Sequence, residues 1–160
     1  MKYSILKTIS LEFFARKKAL DQGYIRKWCI KDDAYMDPST RKIVSRPIRT
    51  SLALSDFLHE VGHTHTLTKS QIEAHSSFNE GKLLGLIYVD DWNNVIESEI
   101  AAWDWCLTAS KVHDINPFEE KLFKYLNSYI VKTRTYIDDL SYANKKAYLR
   151  LAARELEWKS

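Results

Sequence analysis

The chain has 160 residues, 45% hydrophobic and 28% charged, with a formal net charge of +3 at pH 7. That length fits one domain with its own core, and the composition is that of a soluble globular protein rather than a disordered or fibrous one. The small positive excess contains no block of like charges, so it makes no case for nucleic acid or an anionic membrane as partner.

Only four glycines and three prolines punctuate the chain, which favours long helices over linkers. The first residues, MKYSILKTISLEFFARKK, have no uninterrupted apolar stretch and no small-residue cleavage site. They do not read as a signal peptide, and no run approaches the length of a membrane span. Cys29 and Cys106 lie far apart without paired spacing. The expectation is a cytoplasmic protein with buried thiols.

Ser4 to Gln22 carries apolar residues at helical spacing (Ile5, Leu6, Ile9, Phe13, Phe14, Leu20), and Gly23 is a natural stop. YIRKWCI, rich in aromatic and β-branched residues, reads as a strand. Asp37 to Thr40, DPST, is a turn. RKIVSRPI after it can pair back as a second strand, which Pro47 would end or confine to a sheet edge. Thr50 or Ser51 can cap a helix running through SLALSDFLHEVGH. The segment from Leu67 to Asn94 is mixed, and LLGLIYV within it reads as a buried strand or short helix. A helix is expected to start near Asn94 and cover VIESEIAAWDWCLTAS. Two more are expected from Pro117 to about Thr135 and from Ser141 to Trp158, with Glu119 and Glu120 favourable near a helix start. The sum is a helix-rich α+β fold in a single domain over 1–160, with a small sheet before the histidine-rich helix.

That helix carries the sharpest motif, His59-Glu60-Val61-Gly62-His63. Residues four apart share a helix face, so both imidazoles can reach one ion at about 2.0–2.1 Å. Glu60 is displaced around the helix, where it can take a proton from the water the metal activates. Leu54, Phe57, Leu58 and Val61 supply apolar surface to bury the helix, and Gly62 permits close approach by a neighbouring backbone. A catalytic zinc needs a third protein ligand. His65 could serve only if the helix ended at once. ESEIAAWDW offers Glu97, Glu99 and Asp104. Glu99 is favoured because Ala101 and Ala102 have no bulk to hold two helices apart, while Trp103 can wall off the site. Glu97, two residues away, should face solvent. Asp104 could orient a ligand imidazole through its second nitrogen. His65, His75 and His113 otherwise read as surface histidines, and the many tryptophans and tyrosines as core.

HEVGH followed by ESEIAAWDWCL resembles the ImmA/IrrE-type metallopeptidases, which pair HExxH with a downstream E-x-E-A-x-x-F-A-x-x-L pattern. Glu97 and Glu99 fall on its two acids, Trp103 on the aromatic position and Leu107 on the apolar end. Ile100 and Asp104 depart from it, and no helix-turn-helix is apparent elsewhere. The likeness spans about Ser51 to Leu107. It implies a zincin-like domain with a gluzincin-like site: His59 and His63 as zinc ligands, Glu60 as base, Glu99 as third ligand. In that family the substrate is often a transcriptional repressor. The expected function is therefore a zinc-dependent endopeptidase acting on a protein, with RKIVS as an edge strand that pairs with extended substrate. The rival is a silent zincin fold that sequesters a protein partner.

Overall fold

Helix α1 spans Ile5–Asp21. Gly23 stops it by taking φ 77°, a left-handed backbone that glycine adopts without strain. The Gly23 and Tyr24 amides then donate to the carbonyls of Leu20 and Ala19, satisfying groups the helix end would orphan. The computed structural model describes residues 5–30, 34–84 and 89–112. The helices expected after Pro117, and His113, lie outside them.

The face α1 turns inward is not the one its large apolar residues suggest. Thr8, Leu11, Ala15 and Ala19 are buried, whereas Ile5, Leu6, Ile9, Phe13 and Leu20 are exposed. Small residues at positions 8, 15 and 19 let the helix lie close to its neighbours, and α1 packs on α2 and on the first strand.

Three short strands follow: β1 (Ile25–Trp28), β2 (Tyr35–Asp37) and β3 (Lys42–Ser45). β3 pairs antiparallel with β2 and parallel with β1, in the order β1-β3-β2. RKIVS is therefore the central strand, correcting the expectation of an edge. Ile43, Val44 and Ser45 are buried, as a strand flanked on both sides would be. Pro47 lies just beyond it and ends it. The turn between β2 and β3 forms as expected. Asp37 accepts bonds from the backbone N–H and hydroxyl of both Ser39 and Thr40, at 2.6–3.2 Å.

Helix α2 spans Ser51–Thr66 and packs on β2 and β3. Its cap is Thr50, whose hydroxyl accepts from the Ala53 amide at 3.2 Å. Leu54, Phe57, Leu58 and Val61 are each at most 1% exposed. Arg26 ties the elements together. Its guanidinium bonds to Glu12 of α1 (2.8 Å), the Ser45 hydroxyl (2.8 Å) and the Arg46 carbonyl (2.8 Å). It also lies over the rings of Trp28 and Phe57, at 4.0 and 4.4 Å from their centroids.

Two helices complete the described residues: α3 (Lys69–Leu84) and α4 (Val89–Val112). The sequence left Leu67–Asn94 mixed, and most of it is α3. LLGLIYV falls partly at the end of α3 and the start of α4, with 85–88 outside the described residues. α4 begins before Asn94. Asp90 and Asp91 occupy its first turn, where the helix dipole favours acids, and the Asn94 amide donates back to the Asp90 carbonyl at 3.0 Å.

The fold is thus α+β and rich in helix, with a small sheet preceding α2. The described residues group into two compact units. One holds the chain up to Thr66 and resumes at Ala101; the other holds Leu67–Ile100. α4 is one continuous helix through that division. No helix among the described residues is long and apolar enough to cross a membrane.

Candidate metal centre

The close approach of α2 and α4 rests on one glycine. A Cβ on Gly62 would lie 2.5 Å from the Ala102 carbonyl oxygen and 3.0 Å from its Cα, so only hydrogen fits there. With Ala102 on the contact, helical periodicity fixes which α4 residues share that face. Glu99, Ala102, Trp103 and Cys106, spaced three and four apart, are all buried. Glu97 is exposed on a different face, as a residue two positions from Glu99 must be.

On α2, the His59 and His63 rings meet edge to face, with centroids 4.5 Å apart. Their Nε2 atoms point at each other across 3.0 Å. Two nitrogens on one tetrahedral ion at 2.0–2.1 Å would stand about 3.3 Å apart, close to what the apposed rings show. One carboxylate oxygen of Glu99 joins them, and the ligand atoms of His59, His63 and Glu99 all lie within 4.8 Å of one another. All three are buried, at 8, 6 and 6% exposure. Ionisable groups are rarely buried so deeply unless they are paired or bind a metal. Two imidazoles and a carboxylate also match the donor set that leaves a zinc ion an open position. These residues therefore fit a divalent metal.

Glu60 is half-buried. Its charge reaches the Cys106 thiol, which burial first, and this carboxylate second, push well above the ordinary thiol range. Cys106 is on the α4 face that carries Glu99, Ala102 and Trp103. His65 does not join the cluster. α2 continues to Thr66, and the His65 ring stacks on Trp105 at 5.0 Å and 9° instead. Burial and the neighbouring Lys18 charge lower its pKa, although a bond with the Lys18 backbone opposes them. Asp104 is half-buried on α4.

Sequence reasoning missed the tie behind Glu99. The Ser98 hydroxyl donates to the Val95 carbonyl at 2.7 Å, which uses its only proton. His75 Nε2, 2.6 Å from that oxygen, must therefore be the donor. This bond joins α3 to α4 one residue before Glu99, at a serine that is fully buried. A histidine read as a surface residue gave no sign of it.

No protein-family model matches this chain, and no curated protein or solved structure matches it.

Proposed function

We propose that the protein is a zinc-dependent endopeptidase, with His59, His63 and Glu99 as metal ligands and Glu60 as general base. The observation that supports this most is the burial of two imidazoles and a carboxylate on one helix–helix contact, with donor atoms within 4.8 Å of each other. The motif alone supplies the two histidines; the third donor is what makes a catalytic set. When bound, zinc would polarise a peptide carbonyl and lower the pKa of a water molecule. Glu60 would accept that water's proton and pass it to the leaving amine, as a carboxylate within reach of both can. Leu58 and Val61, each fully buried, anchor the turns of α2 that carry the three motif side chains. The protein substrate would present its chain extended. Because β3 is central, such a strand would pair with β1 or β2, the outer strands of the sheet among the described residues.

The test is metal stoichiometry set beside turnover. Purified protein should hold about one zinc per chain. His63→Ala and Glu99→Ala should lose it, and Glu97→Ala should keep it. Glu60→Gln should keep the metal and lose peptidase activity, since an amide cannot accept the proton at neutral pH. Zinc content unchanged in both ligand variants would end this reading. Metal binding without turnover in the wild type would favour a protein-binding role on the same fold.

A further inference from the structure

The His59 imidazole is clamped on two sides. Its edge-to-face neighbour is His63, and across its face lies the indole of Trp103, with centroids 4.3 Å apart and planes tilted by 32°. Trp103 is 4% exposed, so the indole is fixed by the packing around it. It follows Ala102, whose backbone abuts Gly62. The same contact that seats α4 on α2 therefore seats the indole on the ring.

Rotation about the last torsion of a histidine is broad and roughly two-fold. Rotation of the His59 ring out of its observed plane would swing Nε2 away from His63. A free imidazole samples a spread of ring planes and must be ordered when it binds an ion, at a cost in affinity. A ring already held in the binding orientation avoids that cost. The indole face fixes the plane of the ring, and that plane is the productive one, with Nε2 turned to its partner at 3.0 Å.

We propose that Trp103 is a positioning residue for the metal centre: it holds His59 in its ligating orientation before any ion arrives. This rests on the metal reading above, and it assigns the tryptophan a part distinct from filling core. An aromatic ring is needed at this position, not merely apolar bulk. Phenylalanine should serve, because it keeps a flat face against the imidazole, whereas leucine should not.

The experiment titrates wild type, Trp103→Phe, Trp103→Leu and His63→Ala with Co2+, read by visible absorption, and with Zn2+ against a chelating dye. Wild type should bind one ion with the spectrum of a low-coordinate site. Trp103→Phe should match its affinity within about threefold. Trp103→Leu should bind about tenfold more weakly and with an altered cobalt spectrum, in the range for losing an aromatic contact or a residue that orients a ligand. Its metal-free circular dichroism should match wild type. If leucine binds as well as tryptophan and with the same spectrum, the proposal is overturned while the metal reading stands. If wild type takes up no more ion than His63→Ala, both fall. Should the leucine variant not fold, the wild-type protein decides by NMR. The metal-free His59 ring protons should be shifted upfield by the indole and show a single ring orientation that Zn2+ leaves in place. A ring that averages in the metal-free protein and orders only on adding Zn2+ overturns the proposal.

Discussion

Helices α1 and α2 belong to the same unit and are close in length, yet they use their apolar residues in opposite ways. α2 buries its large side chains, with Phe57, Leu58 and Val61 fully inaccessible. α1 turns Leu6 and Phe13 outward, at 78% and 71% exposure, and packs through alanines, a threonine and one leucine. What holds α1 is also different. Glu12 is bonded to Arg16 of its own helix at 2.6 Å and to Arg26 of β1 at 2.8 Å. α2 is secured by buried area and α1 by close approach and a partly buried ion pair. Hydrophobic periodicity marks the buried face only in the first case, and the motif that needs a rigid support sits on that helix.

The sharpest way to break the contrast is to make one substitution on both helices. Leu58→Ala removes a fully buried side chain and should cost about 2–5 kcal/mol, while Leu6→Ala should stay within about half a kcal/mol. Urea unfolding of the two variants compares them directly. Equal losses would mean that the α1 face is covered in solution. Gly62→Ala follows in size. Alanine is the better helix former by about 1 kcal/mol, which alone would stabilise α2. The added Cβ instead meets the Ala102 backbone at 2.5 Å, and a carbonyl cannot swing aside as a side chain can. Overpacking of this kind costs about 1–3 kcal/mol before any gain is subtracted. A net loss of stability together with a loss of zinc is the expected outcome. A variant more stable than wild type would show that α2 and α4 stand further apart. Arg26→Met should cost about 1–3 kcal/mol, the penalty for a buried acceptor left without its donor. It keeps some bulk between Trp28 and Phe57 but leaves the Ser45 hydroxyl and the Arg46 carbonyl without this donor. Glu12 keeps Arg16, which moderates the loss. If Arg26→Met matched wild type in urea, the ion pair would not be what secures α1.

The same contrast explains what the sequence disclosed. Helix α2 was legible because its motif, cap and apolar stripe agree, and the burial of Glu99 because the alanines beside it imply a close helix contact. The inner face of α1 was not, since Ala15 and Ala19 carry little hydrophobic signal while Ile5 and Phe13 carry much. α3 lacked a clear apolar stripe, but its start was written as Thr68-Lys69-Ser70-Gln71. The Thr68 backbone N–H donates to the Gln71 side chain at 2.9 Å, and the Gln71 amide donates back to the Thr68 hydroxyl at 3.3 Å. That reciprocal pair was available to a reader looking for caps. β2 is three residues long, and its pairing with β3 depends on the turn between them rather than on any pattern of its own.

That turn gives the smallest and most local expectation. Asp37 is only partly buried, and its carboxylate is held at a pKa of about 2. The Ser39 and Thr40 hydroxyls contribute most to this, with the Thr40 and Ser39 amides helping and slight desolvation opposing. All four donors favour the charged form, so the folded pKa lies below the unfolded value. The stabilisation is then fully present above about pH 4 and is lost as the pH falls through about 2. A carboxyl-carbon NMR titration of the folded protein should place the Asp37 midpoint near 2, and Ser39→Ala should move it upward. Amide protection of the β2–β3 ladder should weaken over the same acid range, whereas that of α2 around Leu58 should not follow it. A midpoint near 4 in the wild type would mean that the hydroxyl bonds do not persist in solution. The β3 register would then depend on Ile43 and Val44 packing against α2, the kind of support that area gives and α1 lacks.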